Sequence, residues 1–265
     1  MAKIFSQAQM DEIYAYFKDK MNSLQCIRMV ELVPFEECTW EQIYNITKAY
    51  YDGLYSLEDI TKVWNIGDSN TFTIPKMSGQ PEQPITMEII DFNHDTLETS
   101  IGDKTKGLIT LSAKNMLDNT MQFSDNLYSD AKYSASTNDV AIWMNGTLYN
   151  NLPTEIKNSI KTTVRSYGSG TNNKNIKQNI FLLTPYEIGE SRYGSWGTPY
   201  AYYANTPIKT NKTKRDGTNA RTWYNGFTTG GGGQRYVATR VPTNNLSISD
   251  DFMSYSYGVV INFCI

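Results

Sequence analysis

Histidine is almost missing from this chain: His94 is the single copy in 265 residues. Every other position is thereby denied the commonest general base and the commonest metal ligand. Cysteine is scarce too. Cys26, Cys38 and Cys264 are too few and too widely spaced for a disulfide framework or a tetrahedral zinc site, which takes about four closely spaced ligands. They are expected as reduced, partly buried thiols. Charge is thin at 19% of residues, and 24 Lys and Arg against 27 Asp and Glu leave a net charge of −3. The basic residues are scattered, so no stripe exists to neutralise phosphates, and nucleic acid is not an expected partner. No run approaches the roughly 20 apolar residues of a membrane span, and the N-terminus lacks the basic-then-apolar pattern of a signal peptide. Neither membrane insertion nor export by that route is expected.

Aromatics, by contrast, reach 13%, with 19 Tyr against 10 Phe. Much of that ring surface carries a hydroxyl able to face water or a polar ligand, which is a profile of binding rather than of catalysis. The length allows one large domain, or one domain preceded by a small helical module.

Along the chain, Ser6 with Gln9 can form a capping box that opens an amphipathic helix to about Met21. Met10, Ile13, Phe17 and Met21 share one of its faces. That stripe must bury itself on its own domain, on a fold partner or in a self-associating coil. An apolar run from Ile27 to Val33 reads as a strand stopped by Pro34. Thr39 with Gln42 caps a second helix carrying Trp40, Ile43, Ile46 and Tyr50, ended by Asp52-Gly53. A short third helix follows Ser56, and Asn65 to Asp68 form a turn. Strands are expected at Thr71 to Ile74, Ile85 to Phe92 and Leu108 to Leu111. Helices are expected at Asp139 to Asn150 and Thr154 to Lys161, separated by Pro153. After the turn-rich Tyr167 to Asn175, strands are expected at Ile180 to Leu183, Arg221 to Phe227, Arg235 to Val241 and Tyr257 to Ile265. The last run is nearly unbroken in its apolar character, which predicts a strand inside a sheet and covered on both faces. The fold class is α+β.

Several segments, in order, resemble one family. They are Trp40-Glu41-Gln42-Ile43, Trp64-Asn65-Ile66-Gly67-Asp68, Ile89-Ile90-Asp91-Phe92-Asn93-His94-Asp95, and Leu148 to Ile160 with its Leu152-Pro153 break. Phe181-Leu182-Leu183-Thr184-Pro185-Tyr186-Glu187-Ile188 and the ending Tyr257 to Ile265 complete the set. The resemblance is to a domain of unknown function common in Gram-positive gut bacteria and in tail, fibre and other structural proteins of their phages. It spans about Glu31 to Ile265. It implies a C-type-lectin-like domain over 31–265, with a small twisted antiparallel sheet and long loops, preceded by a helical attachment segment over 1–30. The family brings no catalytic residues. Where it usually carries a Trp-Trp-x-Arg-Ser-Pro segment, this chain has Arg221-Thr222-Trp223-Tyr224-Asn225-Gly226, so contacts made by that segment in relatives are not carried over.

The candidate ligand surface is the aromatic cluster Tyr193, Trp196, Tyr200, Tyr202 and Tyr203, extended by Trp223, Tyr224 and the loop tip Gly230 to Gly233. Rings on Gly-, Pro- and Ser-rich backbone can stack on sugars or anchor a protein contact, or they can plug the gap between sheet and loops. Strand alternation sends only one of Trp223 and Tyr224 inward on a half-covered sheet. Asp250 and Asp251 with Asn244 and Asn245 lack the Gly-bearing pattern of a calcium loop. His94 between Asn93 and Asp95 reads as a turn residue, with no Ser or Cys in a nucleophile-elbow setting. Sequence does not show whether Glu187 and Glu190 have the spacing of a glycosidase pair.

The expectation is a non-enzymatic phage virion protein, assembled in the host cytoplasm, that needs no cofactor or metal. It would attach to other virion proteins through Met10, Ile13, Phe17 and Met21, form a homo-oligomer on the particle, and bind a host glycan or surface protein. It would serve as capsid decoration or head fibre, or as tail fibre or baseplate tip. The alternatives are a bacterial ligand-binding protein and a glycan-active enzyme.

Overall fold

Three reciprocal capping boxes start three helices, and each follows from a hydroxyl residue placed three positions before an amide or carboxylate side chain. The structure, a computed structural model, describes residues 6–28, 31–125, 136–167, 174–190, 197–204, 212–217, 221–229, 235–240 and 248–265. In α1 (Gln7–Arg28) the Ser6 amide donates to Gln9 Oε1 at 2.9 Å and the Gln9 amide to Ser6 Oγ at 3.3 Å. Thr39 and Gln42 do the same for α2 (Trp40–Tyr51), and Ser56 and Asp59 for α3 (Leu57–Thr61). The expected strand from Ile27 to Val33 is not formed. Ile27 and Arg28 continue α1, while Leu32 and Val33 are irregular and pack against the core. The Val33 carbonyl is instead held by the Trp64 indole N–H at 2.9 Å, a partner 31 positions away.

The strands are β1 (Ser69–Ile74), β2 (Gln83–Phe92), β3 (Thr96–Ile101), β4 (Lys104–Lys106), β5 (Ile109–Ala113), β6 (Met121–Gln122), β7 (Thr163–Tyr167), β8 (Lys174–Gln178), β9 (Ile180–Phe181), β10 (Thr222–Thr229), β11 (Arg235–Arg240), β12 (Ile248–Phe252), β13 (Ser256–Tyr257) and β14 (Asn262–Cys264). Between β6 and β7 lie α4 (Asp139–Trp143), a π-helical turn at Met144–Leu148, α5 (Tyr149–Asn151) and, past the break at Pro153, α6 (Thr154–Ser159). A last short helix, α7, covers Ala201–Ala204. The fold is α+β with antiparallel sheets.

Five strands form the central sheet in the order β1-β2-β5-β14-β9. The expected strand from Tyr257 to Ile265 is divided: Tyr257 lies in β13, paired with β6 outside the central sheet, and only Asn262–Cys264 form β14, which has a neighbour on either side. Val259 to Ile265 are all buried, as their apolar composition predicts. On one face Met87, Ile89, Leu111, Phe263 and Ile180 join the larger core with Phe35, Ile43, Ile46 and Trp64. That core takes residues from Phe35 through Ile265, so α2, α3 and the C-terminal strand share one interior. On the opposite face Ile90 and Phe181 meet Leu183, Ile188, Tyr200, Tyr202, Tyr203 and Tyr224 in a second, tyrosine-rich cluster. A three-stranded sheet (β10-β11-β12), a four-stranded sheet (β4-β3-β7-β8) and the pair β6-β13 complete the architecture.

Candidate functional site

Asn93 turns the chain out of β2 with φ of 48°, a left-handed conformation that asparagine tolerates better than most side chains. The turn directs His94 and Asp95 toward the second face of the sheet. There they meet Arg165 from β7 and Glu187 from a single 3-10 turn at Tyr186–Ile188. That turn is fixed reciprocally: the Thr184 amide donates to Glu187 Oε2 at 2.8 Å and the Glu187 amide to Thr184 Oγ1 at 3.1 Å.

Arg165 is 4% exposed and bridges both carboxylates. Its Nη1 donates to Asp95 Oδ1 at 2.8 Å and to the Tyr200 hydroxyl at 3.0 Å, and its Nη2 donates to Glu187 Oε1. The guanidinium carbon lies 3.7 Å from the centre of the Phe181 ring, which covers the cation with a π face. Asp95 also accepts from the Tyr200 hydroxyl at 2.9 Å and from Thr110 Oγ1. Burial alone would raise the Asp95 pKa, but Arg165, His94 and Thr110 outweigh it and hold the carboxyl at about 2. At Glu187 burial wins over Arg165, and its pKa is raised. The His94 ring packs against Tyr200 at a tilt of 30°, with ring centres 4.0 Å apart, and its Nε2 is 3.1 Å from the Thr198 carbonyl. Burial lowers its pKa, yet Asp95, Asp91 and Glu187 together leave it raised. Its Nδ1 stands 3.5 Å from Asp95 Oδ1, a charge contact too long for a strong hydrogen bond.

His94, Asp95, Arg165 and Glu187 line a cleft of about 280 Å³ together with Thr96, Val164, Gly197 and Thr198. Gly197 has φ of +87°, and a Cβ there would stand 2.4 Å from Glu187 Oε1, so both backbone and space require glycine. The charged groups neutralise one another. Both carboxylates are engaged by Arg165, and the cleft offers a small polar molecule fixed donors and acceptors.

The aromatic residues singled out from sequence divide differently. Tyr193, Trp196 and the Gly230 to Gly233 tip lie outside the described residues. Tyr200, Tyr202, Tyr203, Trp223 and Tyr224 are buried, so these five do not form an exposed stacking face. Their hydroxyls explain the difference: Tyr200 reaches Asp95, and Tyr202 reaches Glu88 Oε2 at 3.2 Å, which satisfies each polar tip inside the protein. Trp223 and Tyr224 do alternate, but each side is covered. Trp223 enters the larger core with its N–H on the Met121 carbonyl at 2.8 Å, and Tyr224 enters the second cluster. Asp251 accepts from Arg221 and from the Tyr257 hydroxyl at 2.6 Å, a structural use unlike a calcium ligand. Asn244 and Asn245 lie outside the described residues. Among the described residues no group of three His, Cys, Asp or Glu side chains is placed to hold a metal, and no helix is long and apolar enough to cross a membrane.

On α1, Met10, Ile13 and Phe17 are 51%, 39% and 60% exposed. Every side chain described on α1, from Ala8 to Lys18, is exposed, so the stripe is not used against the chain's own core there. Met21 belongs to the same sequence pattern, but its side chain is not among those described.

A family of domains of unknown function, DUF6273, matches residues 106–265, more than half of the chain. The chain belongs to the DUF6273 family. The match begins later than the resemblance drawn from about Glu31, yet β1 and β2, which precede it, pair in the same sheet as β5, β14 and β9 within it. In the cleft, Arg165 and Glu187 come from the DUF6273 region, and His94 and Asp95 from the segment before it. No curated protein and no solved structure matches the chain.

Proposed function

We propose that this DUF6273 protein is a non-enzymatic structural component of a bacteriophage particle, attached through α1 and presenting its α+β body outward as a C-type-lectin-like module. The observation that carries the reading is the uncovered apolar stripe Met10, Ile13 and Phe17 on a helix of 22 residues. A helix of that length extends about 33 Å, enough to engage a partner along several turns. Exposed apolar surface of this kind on an ordered helix marks an interaction face. The phage setting is supported by the resemblance of the ordered motifs to structural proteins of phages of Gram-positive gut bacteria. The self-neutralised charges of the cleft favour recognition over chemistry, and the cleft takes the place of the buried aromatics as the surface for a polar ligand such as a host glycan.

The test is direct. Antibody labelling and mass spectrometry of purified particles should find the full chain at a fixed stoichiometry, and Ile13→Asp with Phe17→Asp should remove it from particles while the body still folds. Absence of the chain from purified particles, or unchanged incorporation of the double variant, defeats the reading. A glycan array would then identify the ligand class, with Thr198→Arg at the cleft edge expected to abolish binding.

A further inference from the structure

The second face of the central sheet holds a polar group that plays no part in the cleft. Glu88 on β2 and Asn262 on β14 both stand opposite Ser112 on β5, so the three side chains form one row across adjacent strands. All three are buried. Into this row comes Lys212, only 5% exposed, with Nζ 3.1 Å from Glu88 Oε2. Lys212 and Asn262 border the same cavity of about 10 Å³, closed otherwise by Leu183, Tyr203, Trp223, Tyr224 and Val260. That is room for about one water molecule. Asn262 Nδ2 donates to the Phe181 carbonyl at 2.9 Å and the Val260 carbonyl at 3.0 Å, which fixes the orientation of the carboxamide. Its Oδ1 has no hydrogen-bond partner among the described residues.

As an ion pair this arrangement is costly. An ammonium enclosed by aromatic and aliphatic side chains, with a single carboxylate in contact, loses more hydration than one partner restores. Its chemistry is more telling. A buried lysine in contact with a carboxylate and sharing a cavity with a fixed carboxamide, in apolar surroundings, has the parts for intramolecular amide exchange: a nucleophile, a proton carrier and an electrophile.

We propose that Lys212 and Asn262 become joined by an isopeptide bond, with Glu88 carrying the protons. Glu88 takes a proton from the Lys212 ammonium, and the neutral Nζ attacks Asn262 Cγ. Glu88 is then protonated. The Nζ–Cγ bond forms, a further proton passes from Nζ through Glu88 to Nδ2, and the Cγ–Nδ2 bond breaks. Ammonia leaves from between the Phe181 and Val260 carbonyls that held Nδ2. An amine and a primary amide become a secondary amide and ammonia, so no oxidant or other reactant is consumed. The direction of the Lys212 pKa is consistent with this step: burial outweighs Glu88 and lowers it, which favours the neutral amine. The product removes the buried ammonium and ties Lys212 to the central strand β14. The inference does not depend on the phage reading.

Intact-mass measurement of the purified, denatured full chain tests it. The expected mass is that of the sequence less one ammonia, and protease digestion should yield a branched peptide joining Lys212 to Asn262. Lys212→Ala, Asn262→Ala and Glu88→Gln should each restore the full mass of their own sequence, with circular dichroism recording the fold. A wild-type chain with its full sequence mass and separate linear peptides containing Lys212 and Asn262 overturns the proposal, and so does an ammonia loss mapped to any other residue. The wild-type measurement decides the matter even if a variant fails to fold.

Discussion

Replacing Arg165 with Met probes the charged cluster most sharply, because the side chain keeps its length and apolar packing while losing its charge. The guanidinium neutralises Asp95 and Glu187, both buried, and donates to Tyr200. Removing one member of such a group strands the opposite charges, which costs about 3–5 kcal/mol. For a chain of this size, that corresponds to a fall in Tm of roughly 6–20 °C at pH 7. The sign of the Asp95 contribution to the pH dependence should change as well. In the wild type Asp95 is depressed to about 2, so its contribution is present above its unfolded value near 3.8 and is lost only as pH falls through about 2. Without Arg165, burial is the main influence left on both carboxyls: the Asp95 pKa rises above its unfolded value, and that of Glu187, already raised, rises further. The variant should then gain stability relative to wild type as pH falls from 7 toward 5, because protonation removes the stranded charge. Adding Asp95→Asn and Glu187→Gln should recover much of the loss at pH 7. Differential scanning calorimetry from pH 4.5 to 8 reads all of these. A variant melting within about 2 °C of wild type at pH 7, or one whose deficit grows as pH falls, would refute the reasoning.

Gly197→Ala should cost about 2 kcal/mol or more, since φ of +87° and a 2.4 Å approach to Glu187 both oppose a Cβ; urea denaturation checks it, and a loss below about 0.5 kcal/mol counts against the closed cleft. His94 has a raised folded pKa, so its contribution to stability is complete below its unfolded value near 6.5 and is lost as pH rises through the folded value. Stability should therefore decline slightly from pH 6 to 8, and His94→Gln should flatten that decline. For α1, Ile13→Asp with Phe17→Asp should leave the Tm of the body within about 2 °C of wild type, because both side chains are exposed; sedimentation velocity and calorimetry separate association from folding.

Local signals in the sequence were read correctly wherever one segment contains the whole cause. The capping boxes at Ser6 and Thr39, the helix start at Ser56, the turn in which Asp68 Oδ2 accepts from the Asn65 amide at 2.7 Å, and the break at Pro153 depend on neighbours within four positions. The burial of the C-terminal run was legible because continuous apolar sequence has few other uses, but its division into β13 and β14 was not, because the partners β6, β5 and β9 that separate them lie far away in sequence. Strands β3, β4, β7 and β8 were not legible either. In β3, Leu97 is the one buried residue of six, so no alternation marks it, and its pairing with β7 is supplied by residues about 66 positions away, as Leu97 opposite Thr163 shows.

The site was missed for a related reason, and tyrosine is the clearest case. A tyrosine on Gly- and Pro-rich backbone looks exposed because its hydroxyl needs a partner and water is the default one. Here the partners are internal carboxylates: Asp95 for Tyr200 and Glu88 for Tyr202, 105 and 114 positions away in sequence. A carboxylate buried for that purpose needs a cation in turn, and Arg165 and Lys212 supply it from segments that carry no motif of their own. Tyr200 and Tyr202, taken inside, thus each draw in an acid and then a base. The two polar groups of the second face are in this sense one consequence of building that layer from tyrosine rather than phenylalanine. Asp95 and Glu187 lay within the resembling segments Ile89 to Asp95 and Phe181 to Ile188, so the pairing of those two segments across Arg165 was the one accessible signal. Nothing in Thr163 to Tyr167 names Arg165 as their link, because an isolated arginine on a short strand reads as a solvated edge until the fold places acids on both sides of it.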